Sequence, residues 1–149
     1  MPEKKTIAKA RTAKRQGKSP STQAGAFVHE EIEHIREGKH GARSAKQAIA
    51  IGLSKARRAG VKLPPPPKSA SKRTRQGAKR DSARAGKTTH PSPSRSRAAK
   101  QALADEPRSS ASTAALSRQA RAAAKRRPAR ARKAAARKAA RTRARHEES

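Results

Sequence analysis

Nine of the thirteen large apolar residues in this chain fall between Phe27 and Leu63: Phe27, Val28, Ile32, Ile35, Ile49, Ile51, Leu53, Val61 and Leu63. A core forms by removing apolar area from water, so that window is where a chain of 149 residues can fold around itself. A hairpin of two short helices is what it holds. Ser19 and Pro20 supply an N-cap and a first-turn proline, and Gly38 stands where a helix-ending glycine belongs. Between them Ala24, Phe27, Val28, Ile32 and Ile35 share one stripe at 100° per residue, with His29, Glu33, Arg36 and Glu37 opposite. Glu31 alone breaks the stripe.

The loop GKHGAR, Gly38 to Arg43, is short enough to return the chain antiparallel to itself. A second helix follows, announced by a Ser44/Gln47 capping box and closed by Gly60, with Val61 placed to contact Ala56. Its stripe is Ala45, Ala48, Ile49, Gly52, Leu53, Ala56 and Ala59, whose small members let the first helix approach closely. Ile51 falls outside it and suits a second contact, such as a dimer partner. The first helix is acidic (Glu30, Glu31, Glu33, Glu37) and the second basic (Lys46, Lys55, Arg57, Arg58). A carboxylate inside an apolar stripe needs a partner, so Glu31 is expected to meet a base such as Lys55. So few large side chains leave a lone hairpin marginal, which favours self-association or a bound partner.

The rest of the chain is dominated by charge. Lys and Arg number 40 against 10 acids, a formal +30, and from Arg118 to Arg145 there are thirteen bases and no acid. Residues 1–18 read as a basic arm, transiently helical up to Gly17. After Leu63, four prolines form a stiff spacer, and residues 64–96 read as spacer and disordered linker. Residues 97–149 contain three helix-competent pieces, RAAKQALADE, TAALSRQARAAAKRR and ARARKAAARKAARTRAR, separated by Pro107 and Pro128. Alanine favours helix there, while like charges at i, i+3 and i+4 oppose it. The expected fold class is therefore mostly α and disordered: a small N-terminal hairpin at 19–63, then a largely disordered basic tail.

Catalytic and cofactor chemistry finds little support. Gly17-Lys18-Ser19 and Gly86-Lys87-Thr88 match the end of a phosphate-binding loop, but Thr12 and Asp81 stand where its first glycine belongs. His29, Glu30 and His34 approximate the zinc-protease pattern with one residue too many, which turns the two imidazoles about 140° apart. A Glu30 and His34 pairing, four apart, would make only a weak metal site. With no cysteine and no large pocket in prospect, no catalytic residue, metal site or cofactor is expected. The chain also lacks a run of apolar residues long enough for a membrane span or a secretory signal, so a soluble protein of the cytoplasm is expected.

What remains is polyanion binding. Arg118, Arg121, Lys125, Arg126, Arg127, Arg130, Arg132, Lys133, Arg137, Lys138, Arg141, Arg143 and Arg145 are expected to contact phosphates, with Lys46, Arg57 and Arg58 as secondary contacts. Single-strand recognition stacks bases on aromatic rings, and this chain has one, Phe27, assigned to the core. Duplex DNA is therefore the expected partner, non-sequence-specifically and at the nucleoid, with RNA second. The alternative is a helical protein-interaction module whose basic tail associates with RNA or the ribosome. A helix-turn-helix repressor fits less well, because the loop is long and a third supporting helix is not evident.

Thr22-Gln23-Ala24-Gly25, FVHEEIEHIREGKHGARS and AKQAIAIGLSKARRAGVKLPPP together resemble an uncharacterised bacterial family of small basic proteins, over about residues 3 to 66. The resemblance implies a bacterial source and a short helical domain, and brings no binding residues with it. The tail, with pieces such as ARKAAARKAAR, is similar in composition to histone-H1-like bacterial DNA-binding proteins, though it prefers Arg to Lys. Ser92-Pro93-Ser94-Arg95 resembles the turn motifs of linker-histone tails and reads more simply as spacer.

Overall fold

Helix ends set the architecture, and the sequence writes most of them plainly. In a computed structural model describing residues 2–87 and 92–147, the first three helices are α1 (Lys4–Arg15), α2 (Pro20–Arg36) and α3 (Ala45–Arg58). Ser19 Oγ accepts the Thr22 amide at the start of α2, and Ser44 Oγ accepts the Gln47 amide at the start of α3. The Gln47 side chain reaches back to the Arg43 amide at 2.7 Å, one residue short of the expected capping-box partner. All three helices end alike. Gly17, Gly38 and Gly60 take positive φ, and the amides of Lys18, Lys39 and Val61 close onto Ala13, His34 and Ala56 carbonyls in Schellman motifs.

The expected stripes form the core. Ala24, Phe27, Ile32 and Ile35 of α2 are buried, as are Ala45, Ala48, Gly52 and Ala56 of α3. Val28, Ile49 and Leu53 are half-buried, and Ala59 is exposed. Gly52 lets the two backbones touch: a Cβ there would stand 2.7 Å from Val28 Cα and 3.1 Å from the Phe27 carbonyl oxygen. Gly52→Ala is thus expected to lower stability by about 1 to 3 kcal/mol, even though alanine is the better helix former by about 1 kcal/mol. Urea denaturation followed by circular dichroism checks this; a stabilised variant would mean that the helices are not in contact at this point.

The arm expected to be transiently helical holds a packed helix. The helix α1 packs on α2, burying Thr6 and Ala10, and Ile7 and Ala10 join Phe27, Ala24, Ala56 and Val61 in one cluster. The cover that a lone hairpin lacks therefore comes from the chain itself. A second cover arrives from far downstream. The Gly41 amide donates to the Leu103 carbonyl at 2.7 Å and the Ala42 amide to that of Pro107 at 3.2 Å. Arg36 Nε donates to the Ala111 carbonyl. A 3-10 turn at Arg108–Ala111, with Ser110 and Ala111 buried, packs on both α2 and α3. Gly41 has to be glycine, since a Cβ would fall 1.7 Å from the Glu106 carbonyl oxygen.

The largely disordered tail expected after the proline run is overturned. Helices α4 (Lys72–Ala83), α5 (Pro93–Ala104), α6 (Thr113–Lys125) and α7 (Ala129–Glu147) occupy it; residues 88–91, part of the expected linker and of the Gly86-Lys87-Thr88 motif, lie outside the described residues. Two physical causes decide the matter. Ser71 caps α4 by accepting the Thr74 amide, and Ser92-Pro93 opens α5 as N-cap and first-turn proline rather than acting as spacer. In α7, five like-charged pairs at i, i+3 or i, i+4 cost about 1 to 2.5 kcal/mol together. Its eight alanines regain about 4 kcal/mol relative to residues of middling propensity, so helix wins.

The helix α4 docks on α3 through polar contacts: Ser54 Oγ donates to Asp81 at 2.6 Å, Arg58 Nε lies 3.6 Å from the same carboxylate, and the Gly86 amide donates to the Arg58 carbonyl. Ile51, half-buried, shares that face of α3 at helical spacing. The chain divides into two units, Met1–Ser112 and Thr113–Ser149. Among the described residues no helix is long and apolar enough to cross a membrane.

Candidate nucleic-acid interface

Alanine builds the scaffold on which the bases of the second unit stand. Its high propensity carries α6 and α7, and Pro128, lacking an amide hydrogen, separates them. All thirteen bases from Arg118 to Arg145 are exposed. Arg118, Arg121 and Lys125 lie on α6 within an arc of about 60°, turned away from the half-buried Ala115, Leu116 and Gln119. Arg126 and Arg127 occupy the connection.

On α7, Arg130, Lys133, Arg137, Lys138, Arg141 and Arg145 fall within an arc of about 140°, while Arg132 and Arg143 lie behind. Arg130, Lys133, Arg137, Arg141 and Arg145 form a row of about one base per turn, some 22 Å long at 1.5 Å per residue. No carboxylate interrupts it. Such a row suits a line of phosphates, because each base that meets one releases condensed counterions.

The residues expected to make secondary contacts, Lys46, Arg57 and Arg58, lie in the first unit, and two of them already serve the fold. Arg57 Nη2 donates to the Pro64 carbonyl at 3.2 Å, tying α3 to the proline run. Arg58 faces Ser54 and Asp81. Lys46 is simply exposed. Phe27 is 1% exposed, so the chain's one aromatic ring outside histidine offers no platform for base stacking.

Sequence reasoning placed Glu31 beside Lys55 and weighed Glu30 with His34, which do lie 3.9 Å apart, but it passed over Glu3 and His40, which join them in the first unit. Glu31 is 1% exposed; Lys55 Nζ donates to its Oε2 at 2.5 Å, as expected, and His40 Nε2 lies 3.2 Å from its Oε1. Glu30 is buried too, its Oε1 accepting the Glu3 amide at 2.7 Å. Glu3 Oε1 in turn accepts from His34 Nε2 at 3.2 Å. That bond, and then one from Lys5, hold the Glu3 carboxyl below its ordinary 4.5; their stabilisation is present above that value and is lost as pH falls. Glu37 is lowered and Lys39 raised by their mutual 2.8 Å pair. His29 is exposed. The available signal was His40 in the GKHGAR loop, visible only once the loop is folded back over α2.

No curated protein and no solved structure matches the chain. Residues 4–68, which comprise α1, α2, α3 and the proline run, match the model of a family of unknown function, DUF6496.

Proposed function

We propose that the protein binds nucleic-acid phosphates without sequence choice, through the basic faces of α6 and α7, with duplex DNA as the leading target and the nucleoid as its place of action. The observation that carries this reading is the row of exposed bases on α7, unbroken by any carboxylate. Lys and Arg side chains on rigid helices meet phosphates by position, which gives affinity and a steep salt dependence without base readout. The buried Phe27 favours a duplex over splayed single strands, whose bases need aromatic partners. Lys46 adds a further exposed base on α3. No step of this function calls on a cofactor or a catalytic residue.

The test is a salt titration of full-length protein on a duplex of mixed sequence, followed by fluorescence anisotropy. Engagement of about ten phosphates gives a slope near −9 in log K against log salt. Replacing Arg130, Lys133, Arg137, Lys138 and Arg141 together by Gln should reduce that slope by about 4 to 5, with helical circular dichroism retained. An unchanged slope would remove α7 from the interface. If structured RNA displaces the duplex at roughly physiological salt, RNA takes the place of DNA.

A further inference from the structure

His40 sets the problem. Its Nδ1 lies 2.9 Å from the Gly41 carbonyl oxygen, which can only accept, so Nδ1 carries the ring proton and Nε2 of the neutral ring presents a lone pair. That lone pair stands 3.2 Å from Glu31 Oε1, which is buried and has no hydrogen-bond partner among the described residues. Two acceptors thus face each other, and a cation has to lie between them: a second proton on His40, or a metal ion.

The third group decides between the two. A ring nitrogen of His34 joins Glu31 and His40, with all three potential ligand atoms within 4.8 Å of one another. Bonds of about 2.0 to 2.1 Å to a tetrahedral ion place ligand atoms about 3.3 Å apart. The Glu31 and His40 atoms already have that spacing, and the His34 nitrogen, within 4.8 Å of both, would have to draw closer to complete the set. A proton needs one donor aligned on one acceptor, and the Glu31–His40 contact lacks that alignment.

Outer partners of the kind that orient metal ligands are present as well. The Gly41 carbonyl holds His40, Glu3 accepts from His34, and Lys55 fixes the other oxygen of Glu31. We infer that the first unit binds a divalent transition-metal ion of the zinc type between Glu31, His34 and His40. Two imidazoles and one carboxylate suit zinc or cobalt and leave a fourth position for water. The ion would pin the loop between α2 and α3 onto α2, independently of whether α7 binds nucleic acid. A competing trio, Glu3, Glu30 and His34, offers a single imidazole, and one of its carboxylates already accepts the Glu3 amide.

Full-length protein freed of metal by a chelator and titrated with zinc chloride is expected to bind one ion per chain, with Tm rising by about 5 °C or more at saturation. Cobalt(II) should give the visible absorption of a four-coordinate ion. His40→Gln should weaken zinc binding at least about 100-fold and cancel the Tm shift. His29→Gln, at an exposed position, should change neither. Absence of saturable one-to-one binding would overturn the inference, as would a His40→Gln variant that binds zinc like the parent, which would place the ion at the competing trio.

Discussion

Phe27→Ala is expected to destabilise the first unit by about 3 to 5 kcal/mol, lowering its Tm by on the order of 15 °C. The ring is 1% exposed and packs among Ala10, Ala24, Ala56 and Val61. Alanines cannot turn into a vacated space, so the cavity stays open and the cost falls toward the upper end of the range. Thermal and urea unfolding by circular dichroism measure the effect. The helices of the second unit should keep their signal through that transition, so ellipticity falls only in part. A loss below about 1 kcal/mol, as an ordinary surface change gives, would show that the cluster around Phe27 is not the core.

Lys55→Met is expected to cost about 3 to 5 kcal/mol, because it strips Glu31 of the ammonium on Oε2 and leaves a buried carboxylate uncompensated. The double variant Glu31→Leu with Lys55→Met should recover most of that loss, since a buried pair replaced by apolar side chains is often neutral or better. Full recovery would mean that the pair adds nothing net to stability. No loss in the single variant would mean that water reaches Glu31. Urea midpoints of the parent, both single variants and the double variant, all in metal-free protein, close the cycle.

The hairpin was legible because its signals are local: two caps, two stripes, and one acid in the wrong place that found the expected Lys55. Glu30 was not, since its burial depends on α1, whose contact residues are Thr6, Ile7 and Ala10. A count of large apolar side chains does not register a helix that docks with threonine and alanine. The same bias produced the expectation of disorder. The helix α4 is held by a serine cap, Asp81 and backbone bonds rather than by an apolar face, and α7 by alanine propensity. Gly41 did carry a readable hint, a second glycine in a loop whose helix-ending position Gly38 already filled, but the backbone it admits comes from residues 103–107.

That distant cover also orders events during synthesis. The amides of Gly41 and Ala42 wait for carbonyls some sixty residues downstream, so on a ribosome adding 5 to 20 residues per second the loop between α2 and α3 stands uncovered for about 3 to 13 s. The segment matched by the family, residues 4–68, is therefore translated before the turn that closes its own loop. A nascent chain halted before Leu103 would carry an open Gly38–Ser44 loop, a site where proteases or a chaperone could act before the polypeptide is complete.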